Sequence, residues 1–310
     1  MSEAPPPGSS DRRESPWDKA GKTNTPEPRS GELPSPPSRG RGTGGRLKLT
    51  TAVRYDAAAV LARETGRRMA ERLDLVKIAP RCIADIGCAT GDGIRELQRR
   101  YPQALPLAID VELPMLAALR DKTPRLQRLR GRAPRGLNAT ASTLPLADNS
   151  LDLVWSNLAL HWQDDLRPTF AELHRTLRPG GLLMFSMFGP DTLKELRVAG
   201  ADSLRKFHDM HDIGDMLVAA GFADPVMDME MISLTYATLR AFLRDQRHLG
   251  VRDALLGRQS WRDWRRIFSA WQRADGRLPA SFEIVYGHAW KVAPRGTPQG
   301  GAPIRFTRRR

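Results

Sequence analysis

Short apolar runs alternate with helix-period segments from residue 56 to residue 292, the order expected of a parallel sheet covered by helices on both faces. Residues 56–73 predict an amphipathic helix with Val60, Leu61, Met69 and Leu73 as its apolar positions. A first strand is predicted at 81–87, a helix at 93–101, a second strand at 106–110 and a second helix at 114–122. Two stretches compete for the third strand, 125–130 and the segment from 135 to 141, and residues 131–136 read as an insertion. A fourth strand follows at 151–157. The helix at 165–177 is expected to stop at Arg178-Pro179-Gly180-Gly181, ahead of a buried strand at 182–188, because proline and glycine there end helical pairing. Residues 211–222 predict a helix closed by Gly221, 225–236 an alternating strand that puts Met227, Met229 and Met231 in the core, and 281–292 a closing strand. Between those strands, residues 238–273 are mainly helical, with Trp261, Trp264, Phe268 and Trp271 spaced as a buried stripe. The pattern is one α/β domain with a helical insertion before its last strand.

Composition changes this picture at the ends. Residues 1–45 are rich in Pro, Gly and Ser and poor in branched and aromatic residues, and residues 294–310 have the same character with five arginines. Such segments bury too little apolar surface to offset the entropy of ordering, so the folded domain is expected over 46–293, with a helical lid insertion at about 238–275. The 49 Lys and Arg against 35 Asp and Glu give a net charge of +14 over 310 residues, and an excess of 8 stays on the folded part. Residues 240–277 alone hold ten arginines and four aspartates. That field favours an acidic partner; a solvated arginine-rich surface is the plainer alternative. No motif with interleaved aromatics points to nucleic acid. The two cysteines, Cys82 and Cys88, are too few for a disulfide framework or a structural zinc site and fit a reducing compartment. No apolar run approaches the roughly 20 residues of a membrane span, and the N-terminus lacks the order of a signal peptide, so a cytoplasmic protein is expected. His208 and His211, with acids around them, read as a surface helix rather than a metal site.

The chemistry concentrates at Asp85-Ile86-Gly87-Cys88-Ala89-Thr90-Gly91, between a strand and a helix. Small residues at such a turn let the backbone approach a ligand, and the next helix offers unpaired N–H donors. Asp110 ends the second strand 19 residues beyond Gly91, where a carboxylate can accept hydrogen bonds from ribose hydroxyls. NAD would call for G-x-G-x-x-G; here small residues stand at every second position, 87, 89, 91 and 93, with an acid two residues before the first. An acid there repels pyrophosphate and suits an ammonium group, which favours S-adenosylmethionine. A bend that binds nothing is the alternative.

ADIGCATG, AIDVELPML, LPLADNSLDLVWSNLALHW and LRPGGLLMFSMFGPDTLKELR, in that order, resemble the class I S-adenosylmethionine-dependent methyltransferases. With DMHDIGDMLVAAGFADPVMDME and LPASFEIVYGHAW added, residues 50–292 resemble the malonyl-acyl-carrier-protein O-methyltransferases of biotin synthesis, the BioC family. The resemblance implies a Rossmann-like seven-stranded sheet. It places Asp85, Gly87, Ala89 and Gly91 along the methionine and ribose of the cofactor, Asp110 on the ribose, and Val111 and Met115 beside the adenine. Thr140-Ala141 stands where the family has Asp-Ala, and Ala89 where it usually has Gly. Asn157 and Leu158 would meet the methionine part with their backbone, His161 and Trp162 would face the transferred methyl or else fill core, and Tyr55 would close over the cofactor.

Methyl transfer is an in-line displacement that needs alignment and a dry pocket more than a nucleophilic side chain. A carboxylate acceptor, ionised near neutrality, needs no general base. The resemblance thus implies methylation of a malonyl thioester on an acidic acyl carrier protein, with Arg240, Arg244, Arg247, Arg262, Arg265 or Arg266 binding the carrier or orienting the carboxylate. Two other functions share these motifs: an arginine hydroxylase like the mitochondrial complex I assembly factors, and a binding module with a decayed cofactor pocket.

Overall fold

A computed structural model describes residues 52–271 and 275–292; the expected tails at 1–45 and 294–310 lie outside the described residues. Seven strands form one sheet: β1 (Cys82–Ile86), β2 (Leu105–Asp110), β3 (Arg135–Asn138), β4 (Leu151–Asn157), β5 (Leu177–Phe188), β6 (Ala223–Tyr236) and β7 (Leu278–Trp290). Their order is β3-β2-β1-β4-β5-β7-β6. β1 to β5 are parallel, and β7 runs antiparallel to both β5 and β6. The helices are α1 (Val60–Leu73), α2 (Asp92–Arg100), α3 (Leu113–Lys122), α4 (Arg125–Leu129), α5 (Leu166–Thr176), α6 (Lys194–Val198) and α7 (Met210–Ala219). α8 (Leu239–His248), α9 (Arg252–Leu256) and α10 (Trp261–Ala270) make the insertion before β7.

The sheet divides two apolar layers, as period-2 alternation on strands buried on both faces requires. Ile83, Trp155 and Met184 point to the layer containing α1, α2 and the insertion; Ala84, Val154 and Phe185 point to the layer of α5 and α7. Leu151 and Leu153, although two apart, fall in opposite layers, at the place where the register of β4 with β5 shifts by the extra residues of β5.

Several elements differ from the expectation. The third strand is 135–138, and 125–129 is helix. The helix ahead of β5 stops at Thr176, and Pro-Gly-Gly lies inside β5, where Gly180 turns at φ 80° and its N–H donates to the Lys291 carbonyl. Val60 is 52% exposed while Leu61, Met69 and Leu73 are buried. β6 is the edge strand, so Met229 is exposed and Met227 and Met231 half-buried; Ile232 and Tyr236 are its core residues. Trp261 is exposed at the start of α10, and Ile267 joins Trp264 and Trp271 on its buried side. His208 precedes the helix capped by Asp209, so His208 and His211 share no helical face.

Candidate active site

In open α/β sheets the carboxyl ends of strands at a topological switch point form a crevice; here that point lies between β1 and β4. After β1 the chain bends at Gly87, φ 73°, where an added Cβ would sit 2.2 Å from the Ala159 methyl. The N–H groups of Gly87 and Cys88 both donate to the Ile109 carbonyl, at 2.8 and 3.1 Å. Ala89 N–H donates to Asp110 Oδ2 and Glu112 N–H to Asp110 Oδ1, each at 2.8 Å. One carboxylate therefore ties together the two strand-to-helix turns that frame the crevice.

A cavity of about 480 Å³ opens over this bend, inside the range of roughly 300–1,000 Å³ usual for small-molecule sites. Gly87, Ala89, Asp110, Val111, Met115 and Ala141 line one side. Tyr55, Gly87 and Ala89 continue into a smaller recess of about 40 Å³ that also meets Asp85, Arg63, Thr90 and Asn157. Tyr55 is carried by a helical segment at residues 52–58 whose Asp56 accepts the Thr90 hydroxyl at 2.6 Å and pairs with Lys122. That tether holds the N-terminal segment over the bend. Burial, then Asp110 and other nearby acids, raises the Tyr55 phenol above its ordinary range. Asn157 is fixed from both ends, its Nδ2 donating to the Ala62 carbonyl at 2.7 Å and its Oδ1 accepting from the Ser186 hydroxyl at 2.8 Å. Leu158, φ 51°, and Trp162 line the larger cavity.

Three residues expected at the cofactor stand elsewhere. Gly91 caps α2 and packs toward Leu119 rather than the cavity. Thr140 is exposed with its hydroxyl near Ser142, and its neighbours Ala139 and Ala141 form the wall instead. His161 is 4% exposed among the rings of Trp162, Phe188 and Phe207, and its Nδ1 accepts the Phe188 N–H at 3.3 Å. Burial, then the Arg205 charge, lowers its pKa to about 3, so it is a neutral core residue and no proton shuttle. Arg240, Arg244, Arg247, Arg262, Arg265 and Arg266 of the insertion are exposed, and among the described residues no arginine, lysine or histidine lines the larger cavity. Arg63, Tyr236 and Gln246 went unmarked in the sequence; Tyr236 and Gln246 reach the cavity through tertiary contacts that no local motif encodes.

The electrostatics favour a cationic ligand. Asp85 is 2% exposed, and burial followed by the Asp110 charge raises its pKa to about 7. Its carboxylate approaches the start of α2 so closely that a Cβ on Gly93 would lie 2.6 Å from Oδ2. Of the nearby cations, Arg95 is engaged by Asp92 and the Thr90 carbonyl, and Arg63, on the same recess, donates to the Asp56 carbonyl at 2.7 Å. Burial also raises Asp110, against the N–H donors of Glu112 and Ala89. Two desolvated carboxylates without a dedicated countercharge form a site that a positive ligand completes.

Residues 84–185 match the family model of the methyltransferase domain. The chain is 48% identical over 263 residues to the malonyl-acyl-carrier-protein O-methyltransferase of Gallionella capsiferriformans, covering 81% of this chain and 91% of that protein. It is 50% identical over 261 residues to the enzyme of the same name from Laribacter hongkongensis, covering 79% and 87%. The chain belongs to the malonyl-acyl-carrier-protein O-methyltransferase family. The fold agrees with that of the YcgJ protein of Bacillus subtilis, at a TM-score of 0.54 and 14% identity over 73% of this chain and 98% of that one. S-adenosylmethionine is the cofactor, and the uncompensated carboxylates and the small-residue bend fit its charge and shape.

Proposed function

We propose that the chain methylates the free carboxylate of a malonyl thioester carried by an acyl carrier protein, in cytoplasmic biotin synthesis, and that residues 46–293 are its methyltransferase domain. The observation that supports this most is the single cavity joining Gly87, Ala89 and Asp110 to a largely apolar wall from the insertion and the last strands. Bound there, S-adenosylmethionine supplies an activated methyl group on a sulfonium. In this reading Asp110 holds the ribose hydroxyls, and Val111, Met115 and Ala141 enclose the adenine. Asp85 meets the ammonium and Arg63 the carboxylate of the methionine part. Tyr55, Leu158 and Trp162 exclude water from the reacting centre, which strengthens every charge interaction within it. No residue has to move a proton, because the malonyl carboxylate is already ionised.

The carrier would meet the outward arginines of the insertion. Arg240, Arg247, Arg258, Arg262 and Arg265 are exposed, and exposed cations steer an acidic partner without being tied to the protein's own acids. Incubation with methyl-labelled S-adenosylmethionine and malonyl-acyl-carrier protein tests the function. Label in a base-labile ester is the expected result. Label that stays in the donor, or enters protein in base-stable form, contradicts it; an oxidised arginine would instead support a hydroxylase.

A further inference from the structure

The side of the cavity opposite the bend is built by β6, β7, α8 and the turn that follows α8. Leu234, Leu249, Val251 and Phe282 make it apolar, and the polar side chains these elements add are Tyr236 and Gln246. Gln246 is 2% exposed and Tyr236 9% exposed. The Tyr236 and Gln246 side chains hydrogen-bond to each other, and whichever of them donates, two of their three N–H and O–H protons are not used in that bond. Burial, then the Asp245 charge, raises the phenol to about 12, so it is an O–H donor at neutral pH. The Phe242 ring packs edge-on against Tyr236 at 5.3 Å and against Trp271 at 5.3 Å, which fixes the phenol.

We infer that Tyr236 and Gln246 form a neutral hydrogen-bonding subsite for the acceptor carboxylate, in which no protein cation pairs with it. This rests on the proposed malonyl methyl transfer. Two buried donors in an apolar wall need an acceptor, and a carboxylate accepts both. That no cation lines this cavity among the described residues has a kinetic reason. As the new oxygen–carbon bond forms, the carboxylate loses its charge, so a guanidinium would bind the ground state more tightly than the transition state and slow the reaction. Neutral donors orient the oxygens and lose less as the charge disappears. The positive donor supplies the countercharge in the bound complex, and the uncharged ester leaves easily.

The test uses the full chain with malonyl-acyl-carrier protein in steady-state kinetics, and calorimetric titration with S-adenosylmethionine alone. Gln246→Met and Tyr236→Phe should each raise KM for the malonyl carrier roughly tenfold and leave the Kd for S-adenosylmethionine within about twofold. Gln246→Glu, which sets like charges against each other, should raise that KM about a hundredfold. Unchanged KM in the first two variants, or a Glu variant equal to wild type, overturns the inference. Tyr236→Phe removes one oxygen and keeps the ring, so it stays informative if the Gln246 variants fold poorly. Wild-type protein that binds S-adenosylmethionine but transfers no methyl overturns the underlying reading, and the subsite with it.

Discussion

Ala89 is an L-residue at φ 45°, in the bend that carries the cofactor wall. A left-handed backbone costs a residue with a Cβ roughly 1–2 kcal/mol, and glycine removes the cost. Ala89→Gly should therefore stabilise the fold by about 1 kcal/mol, visible as a higher Tm in thermal denaturation. If Asp85 meets the cofactor's ammonium as proposed, it makes cofactor binding pH-dependent. Its pKa of about 7 lies above the unfolded carboxylate value, so the free protein binds more protons than the unfolded chain and loses stability as pH rises from about 4 through 7. A cation favours the ionised form, so calorimetry should show S-adenosylmethionine affinity rising through about pH 7. Asp85→Asn should weaken binding and flatten that profile. His161 carries the opposite sign. Depressed to about 3, it withdraws stability as pH falls below its unfolded value of about 6.5. His161→Phe should cost about 1–3 kcal/mol at neutral pH by orphaning the Phe188 N–H, reduce the Tm loss on acidification, and leave the pH dependence of kcat unchanged.

The insertion reaches the chemistry through its packing. Phe242 on α8 is fully buried between Tyr236 and Trp271. Phe242→Ala should destabilise by about 3–5 kcal/mol and, at a temperature where the variant is folded, raise KM for the malonyl carrier with the S-adenosylmethionine Kd unmoved. Denaturant unfolding and the two-substrate kinetics read these separately. Several elements were legible because they read as short apolar runs: β1, β2, β4 and most of β5 lie in a sheet covered on both faces, where such runs are buried. Others were not. Residues 125–129 and 135–138 both carry arginine and few apolar residues, so periodicity could not choose between helix and strand. Pro-Gly-Gly sits in β5 because Gly180 and Gly181 pair with Lys291, a contact more than a hundred residues away. The methionines of β6 look like core until β6 proves to be the edge strand.

Across the whole molecule, the sheet order converges Asp85 from β1, Asp110 from β2 and Asn157 from β4 on one end, and each was marked in the sequence at its strand terminus. That half of the site was readable because the turn chemistry is local. The acceptor half was not: Tyr236 and Gln246 meet the cavity because β6 pairs with β7 and α8 folds back over the sheet. His161 stood in a plausible position by number, yet its ring turns inward among aromatics. Among the described residues no helix is long and apolar enough to cross a membrane, and no group of three or more His, Cys, Asp or Glu is placed to hold a metal ion. The most direct measurement is fragmentation mass spectrometry of malonyl-acyl-carrier protein after incubation with this chain and S-adenosylmethionine. One added methyl group on the terminal carboxyl of the malonyl arm is the expected result; an unmodified arm, or a methyl on the carrier polypeptide, contradicts the proposed function.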